Sequence, residues 1–161
     1  MEKRKKDKKD SMYTVEEFDK EKTKVLKYVM YNKRTIQEIK LKFKNQVDEN
    51  MLEDIIEELK ENGYISDENY VKRAVNEFMA LKNLSVKEIK YKLGTKGISN
   101  NLIEDYIAEN REELEEYEQQ SADNIALKKS VNMDEMEIKQ YLIKKGYSED
   151  SIKEAIRKIE E

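Results

Sequence analysis

The sequence has no cysteine, histidine, proline or tryptophan, and only four glycines. Without cysteine there is no disulfide, no thiolate metal site and no thiol nucleophile. Without histidine the commonest general base and the commonest transition-metal ligand are both missing, so an enzyme is the least favoured class and no cofactor or metal is expected. With no proline and so little glycine, almost nothing interrupts helices or punctuates hairpins. Long apolar runs are absent too, so no stretch can span a bilayer. The N-terminal MEKRKKDKKD is basic but is followed by no apolar run, and it reads as neither a secretion signal nor a membrane anchor. The expectation is a cytoplasmic protein with no membrane partner.

What the chain does have is charge. Of its 161 residues 42% are charged and 37% hydrophobic, too few apolar side chains for one thick core and enough for thin helical layers. The net charge of −4 is unevenly spread: segment 104–118 holds eight acids against Arg111, and the rest of the chain carries +3. That surplus permits contact with nucleic acid without demanding it.

One pattern is written three times. SVKEIKYKLGTKGISNNLIEDYI (85–107) returns 49 residues later as DEMEIKQYLIKKGYSEDSIKEAI (134–156), with Ser85 on Asp134, Ile89 on Ile138, Leu93 on Leu142, Gly97 on Gly146 and Ile103 on Ile152. Upstream, TIQEIKLKFKNQVDENMLEDII (35–56) repeats it without the glycine and with a turn one residue shorter. Thr35–Glu38, Ser85–Glu88 and Asp134–Glu137 have capping-box spacing, so a helix begins at each. Val47-Asp48, Ile98-Ser99 and Tyr147-Ser148 then place an apolar residue before a second cap, with Leu52, Ile103 and Ile152 completing a hydrophobic staple. Gly97 and Gly146 suit the left-handed position that closes the preceding helix.

Behind each staple runs a helical apolar stripe, and ahead of each capping box lies one more amphipathic segment, marked least clearly in the third copy by Tyr117, Ala122, Ile125 and Ala126. The expected fold is therefore all-α, an elongated tandem array of three three-helix repeats at 12–64, 65–110 and 111–161, after a disordered basic tail at 1–11. The third repeat has the weakest first helix, so its end should be the most mobile. An array with polar ends is expected to be a monomer.

Several motifs have plainer explanations. Gly94-Thr95-Lys96-Gly97 matches the G-x-x-G loop of a KH module, but only Gly97 belongs to the repeat and the sheet of that module is missing. Asn83-Leu84-Ser85 is a glycosylation sequon in form, and Ser85 is already accounted for as a cap. Asp67-Glu68 and the acids of 112–118 lack the spacing of a calcium loop. No P-loop, nucleophile elbow or HExxH is present. Lysines, however, recur with the repeat: Lys40, Lys42 and Lys44; Lys87, Lys90, Lys92 and Lys96; Lys139, Lys144 and Lys145. Such repetition suits a repeating polymer, whether nucleic-acid phosphates or a protein filament, although a merely solvated face would look the same.

Between the first two copies stands Leu59-Lys60-Glu61-Asn62-Gly63-Tyr64-Ile65-Ser66-Asp67-Glu68-Asn69-Tyr70. Physically it reads as a rigid connector: Gly63 ends a helix, Tyr64 and Ile65 pin the turn, and Ser66 or Asp67 caps the next helix. With the triplicate pattern, this junction resembles the RecX family of bacterial recombination regulators, over residues 17–160. The resemblance rests on Gly63, Tyr64, Asp67 and Tyr70, on Gly97-Ile98, and on Gly146. It implies a non-enzymatic modulator that lies along the RecA filament on single-stranded DNA and restrains filament growth, ATP hydrolysis, strand exchange and coprotease activity. The lysines above, with Arg73, are the expected contact residues. Family members are often basic and this chain is mildly acidic, which favours contact with RecA itself and leaves only weak direct binding to DNA. The rival readings are a helix-turn-helix-like DNA-binding module and a helical scaffold for another protein.

Overall fold

In a computed structural model, residues 13–161 are described, and among them every regular element is a helix. In chain order these are α1 (Val15–Tyr31), α2 (Ile36–Phe43), α3 (Glu49–Glu61), α4 (Asp67–Leu81), α5 (Val86–Thr95), α6 (Asn100–Glu109), α7 (Arg111–Lys129), α8 (Glu135–Lys145) and α9 (Glu149–Glu160). The expected tail at 1–11 lies outside the described residues.

The helices begin and end for local reasons. Thr35, Ser85 and Asp134 each accept a hydrogen bond from the backbone of the glutamate three residues on, whose side chain reaches back to the cap N–H. Asp48, Ser99 and Ser148 cap α3, α6 and α9 in the same way, without the return bond. Each such cap contributes about 1 kcal/mol. At the other ends, Gly63, Gly97 and Gly146 adopt φ of 81°, 86° and 92°. Beyond each glycine the next N–H bonds back to Leu59, Leu93 or Leu142, the paired turn that closes a helix. Gly94 lies inside α5, so the G-x-x-G string is a helix end and not a loop.

By compactness the chain divides within α4, with residues up to Tyr70 in one unit and Val71–Glu161 in the other. In the first unit α1 packs on α2 and α3 around Phe18, Val25, Ile39, Phe43, Ile55 and Leu59, all buried. Tyr28 meets the Phe43 ring edge-on, and Val47, Leu52 and Ile65 close the cluster.

In the second unit α7 is the longest described helix and packs most extensively against α9. The sequence marks α7 faintly because its buried stripe is made of small and polar residues: Glu118, Ser121, Ala122 and Ala126, with Leu114 and Tyr117. Around them gather Ile138, Leu142, Tyr147, Ile152 and Ile156. The stripe on α6 is thinner than its spacing suggests, for only Ile103 is fully buried while Tyr106 and Ile107 are half-buried.

Candidate functional site

The expected contact residues fall on corresponding helices. Lys40 and Lys42 stand on α2 with Lys44 just beyond it; Lys87, Lys90 and Lys92 stand on α5 with Lys96 at its C-cap; Lys139, Lys144 and Lys145 stand on α8. They sit in the second helix of each group because the capping box fixes where that helix starts, and the Ile and Leu or Phe of its buried stripe then turn the intervening positions outward. All ten are exposed except Lys90, which is half-buried and reaches Glu104 on α6 at 2.7 Å. Arg73, on α4, is exposed and lies 3.8 Å from Glu77.

Among the described residues, Lys40, Lys42, Lys44, Lys87, Lys92, Lys139, Lys144 and Lys145 form no ion pair. Lys42 lies 5.8 Å from the centre of the Tyr28 ring and Lys145 lies 5.6 Å from that of Tyr141, contacts that steady an ammonium without neutralising it. These helices thus present free cations able to meet carboxylates or phosphates, in contacts that salt would weaken. In the first unit Lys40, Leu41 and Lys44 line one groove with Glu49 and Glu53 opposite. Among the described residues no cluster of acids is placed to hold a metal ion. No described helix is long and apolar enough to cross a membrane.

The junction residues take more specific places than their spacing foretells. Ser66 caps α4, accepting from the Asn69 N–H at 3.1 Å. Asp67 serves a different helix, its Oδ1 accepting from the Ile36 N–H at 3.0 Å, at the start of α2. Burial holds the Asp67 carboxyl above its ordinary value, against the opposing pull of the Ile36 bond and Lys60. Ile65 is buried, but Tyr64 is 48% exposed, so only Ile65 pins this turn. Tyr70 is half-buried, Ile98 is buried, and Gly146 lies so close to Lys87 that a Cβ there would meet the lysine Cδ at 2.9 Å.

The same device recurs in the second unit with different residues. Glu118 on α7 accepts from the Val86 N–H at 3.0 Å, at the start of α5, as Asp67 does for α2. Beside it the Tyr117 hydroxyl donates to the Leu84 carbonyl at 2.8 Å, and Ser121 and Tyr147 share a bond of 2.6 Å. Burial pushes both tyrosine hydroxyls up, so both stay neutral. Ser85 Oγ, while accepting from Glu88, also donates to the Lys145 carbonyl at 2.7 Å. Sequence periodicity misses this polar set, and the only signal for it is the scarcity of large apolar residues on α7.

Leu41 and Tyr91 are also missed, because helical-face reasoning passes over positions off the buried stripe. Each lies exposed between two lysines, six residues after its cap.

No protein-family profile matches the chain. Among curated proteins it is 30% identical over 139 residues to the regulatory protein RecX of Staphylococcus carnosus, covering 84% of this chain and 52% of that protein. It is 34% identical over 85 residues to the regulatory protein RecX of Finegoldia magna, covering 52% of this chain and 42% of that one. The chain thus spans about half the length of the curated relatives it matches. The crystal structure of RecX from Lactobacillus salivarius superposes with a TM-score of 0.76 at 28% identity, over 91% of this chain and 99% of that one. A second RecX crystal structure gives 0.74 at 26% identity, over 88% and 73%.

Proposed function

The chain belongs to the RecX family, and from that premise we propose that it binds the RecA filament on single-stranded DNA and restrains its growth, ATP hydrolysis, strand exchange and coprotease activity. In this reading it is a monomeric cytoplasmic regulator of homologous recombination, DNA repair and the SOS response, not an enzyme. Its three repeats, at 12–64, 65–110 and 111–161, each offer a cationic middle helix to a repeating partner.

The observation that carries the reading is the recurrence of lysines on α2, α5 and α8, the helices that the same capping box starts: Lys40, Lys90 and Lys139 stand five residues after their caps, Lys90 paired with Glu104, and each helix carries further lysines without an ion pair. A ligand that prefers one state of a filament shifts the filament toward it by the difference in affinity. The test is DNA-dependent ATP hydrolysis by the cognate RecA on single-stranded DNA, with this chain titrated at two salt concentrations. Inhibition well below one copy per protomer is expected, weaker at the higher salt. No inhibition at several-fold excess over active RecA would overturn the proposal. Equally tight binding to bare DNA would instead favour a DNA-binding module.

A further inference from the structure

The outward positions of the first two repeats share a feature that lysine recurrence does not explain. Counting from the capping residues Thr35 and Ser85, the position four before the cap is Tyr31 or Leu81, and the position six after it is Leu41 or Tyr91. All four side chains are exposed, at 88%, 66%, 62% and 75% respectively. Counted from Asp134, the same positions in the third repeat are Ser130 and Gln140. The apolar residues that the third repeat does expose, such as Leu127, Met136 and Ile143, fall elsewhere in the register.

A lone exposed leucine needs no explanation, but two positions that are apolar in two repeats and polar in the third form a pattern. We infer that Tyr31, Leu41, Leu81 and Tyr91 are anchors that enter apolar pockets on a protein surface of the RecA filament, with carboxylates at the pocket rims. The inference rests on the function proposed above and assigns the partner face of that site. Tyrosine and leucine exchange places between the two positions, so what each position requires is the area they have in common. Stacking on a base would accept the tyrosines and reject the leucines, and a phosphate backbone offers neither a pocket. A protein pocket accepts both, as the desolvated centre of an interface does. The rim chemistry follows from the neighbours: Lys40 and Lys42 flank Leu41, Lys90 and Lys92 flank Tyr91, and Lys82 follows Leu81. Of these only Lys90 has an ion-pair partner among the described residues, so the others meet acids on the partner without breaking an ion pair of their own.

The experiment is equilibrium binding of the full chain to RecA filaments assembled on labelled single-stranded DNA with a non-hydrolysable ATP analogue, beside the bare DNA. Leu41→Ala and Tyr91→Ala should each weaken filament binding about tenfold, the size of a central interface contact. Ser130→Ala and Gln140→Ala should leave it within about twofold, and all four variants should stay folded in thermal melts because their side chains are exposed and outside the buried core. Filament binding unchanged in the Leu41 and Tyr91 variants, with the parent binding well, overturns the inference and leaves the proposed function standing. A tenfold loss on bare DNA for Tyr91→Ala but none for Leu41→Ala makes the tyrosine a stacking platform and also overturns it. A parent chain that does not bind the filament removes the proposed function and the anchors with it.

Discussion

The helices around Phe18 and those around Ser121 bury a first helix in different ways. In the N-terminal unit α1 is held by large apolar side chains, Phe18 and Val25 against Ile39, Ile55 and Leu59. In the C-terminal unit α7 is held by small residues that let its neighbours approach, and by hydrogen bonds in which Tyr117 donates to Leu84, Glu118 accepts from Val86, and Ser121 pairs with Tyr147. The first arrangement is sensitive to lost volume and tolerant of lost polarity. The second is sensitive to lost polarity as well, because a buried donor left without its acceptor costs more than the bond contributed. One tandem pattern can therefore rest on two kinds of internal chemistry.

The sharpest way to break this comparison is Ile55→Ala. Ile55 is fully buried, and the cavity should lower stability by about 2–5 kcal/mol in urea unfolding. A loss below about 1 kcal/mol would mean that the N-terminal unit does not depend on close packing. On the polar side, Glu118→Ala should cost about 1–3 kcal/mol by stranding the Val86 N–H. Glu118→Gln keeps an acceptor at the same place and should recover most of that loss; equal losses would assign the effect to charge.

Gly146→Ala and Gly94→Ala should differ in sign. At φ of 92°, with Lys87 against the new Cβ, alanine at 146 should cost at least about 1–2 kcal/mol. Gly94 is helical with open space around it, so alanine there should stabilise by about 0.5–1 kcal/mol. Thermal melts of the two variants decide the matter, and a stabilising Gly146→Ala would show that the left-handed turn is dispensable.

The smallest expected effect concerns Asp67, whose carboxyl binds its proton more tightly in the fold than in the open chain. Its contribution is then fully present below the ordinary carboxylate value and is lost as pH rises through the raised folded value. Asp67→Asn keeps an acceptor for Ile36 and removes the charge. The variant should be slightly the more stable at pH 7, by a margin that shrinks toward pH 4. A margin that widens on acidification would mean the charge is favoured where it sits.

Most of the helical plan was legible in the sequence, because capping boxes and staples are local and specific. Thr35, Ser85 and Asp134 announce their helices by residue type and spacing, and Gly63, Gly97 and Gly146 announce the ends. What escaped is what depends on residues far apart in the chain. Nothing in the spacing of Asp67 tells that it serves α2, 31 residues back, while Ser66 does the capping. Tyr64 illustrates the opposite error, an aromatic side chain assigned to a packed turn and found facing water. For the candidate site, periodicity placed the lysines on their helices, but the exposed Leu41 and Tyr91 between them carry no periodic signal.

The double role of Ser85 bears on how the chain is made. The residue that starts α5 is complete only when the end of α8, 60 residues further on, has arrived to accept its hydrogen bond. Glu118 reaches back to Val86 in the same sense, and Asp67 to Ile36, while Asp134 is satisfied by its own Glu137. At a synthesis rate of about 5–20 residues per second, α5 would wait roughly 3–12 s on the ribosome for its last partner. Dependence of this kind has a direction: each middle helix matures on the arrival of what is translated after it, and the final one is finished by its own neighbours.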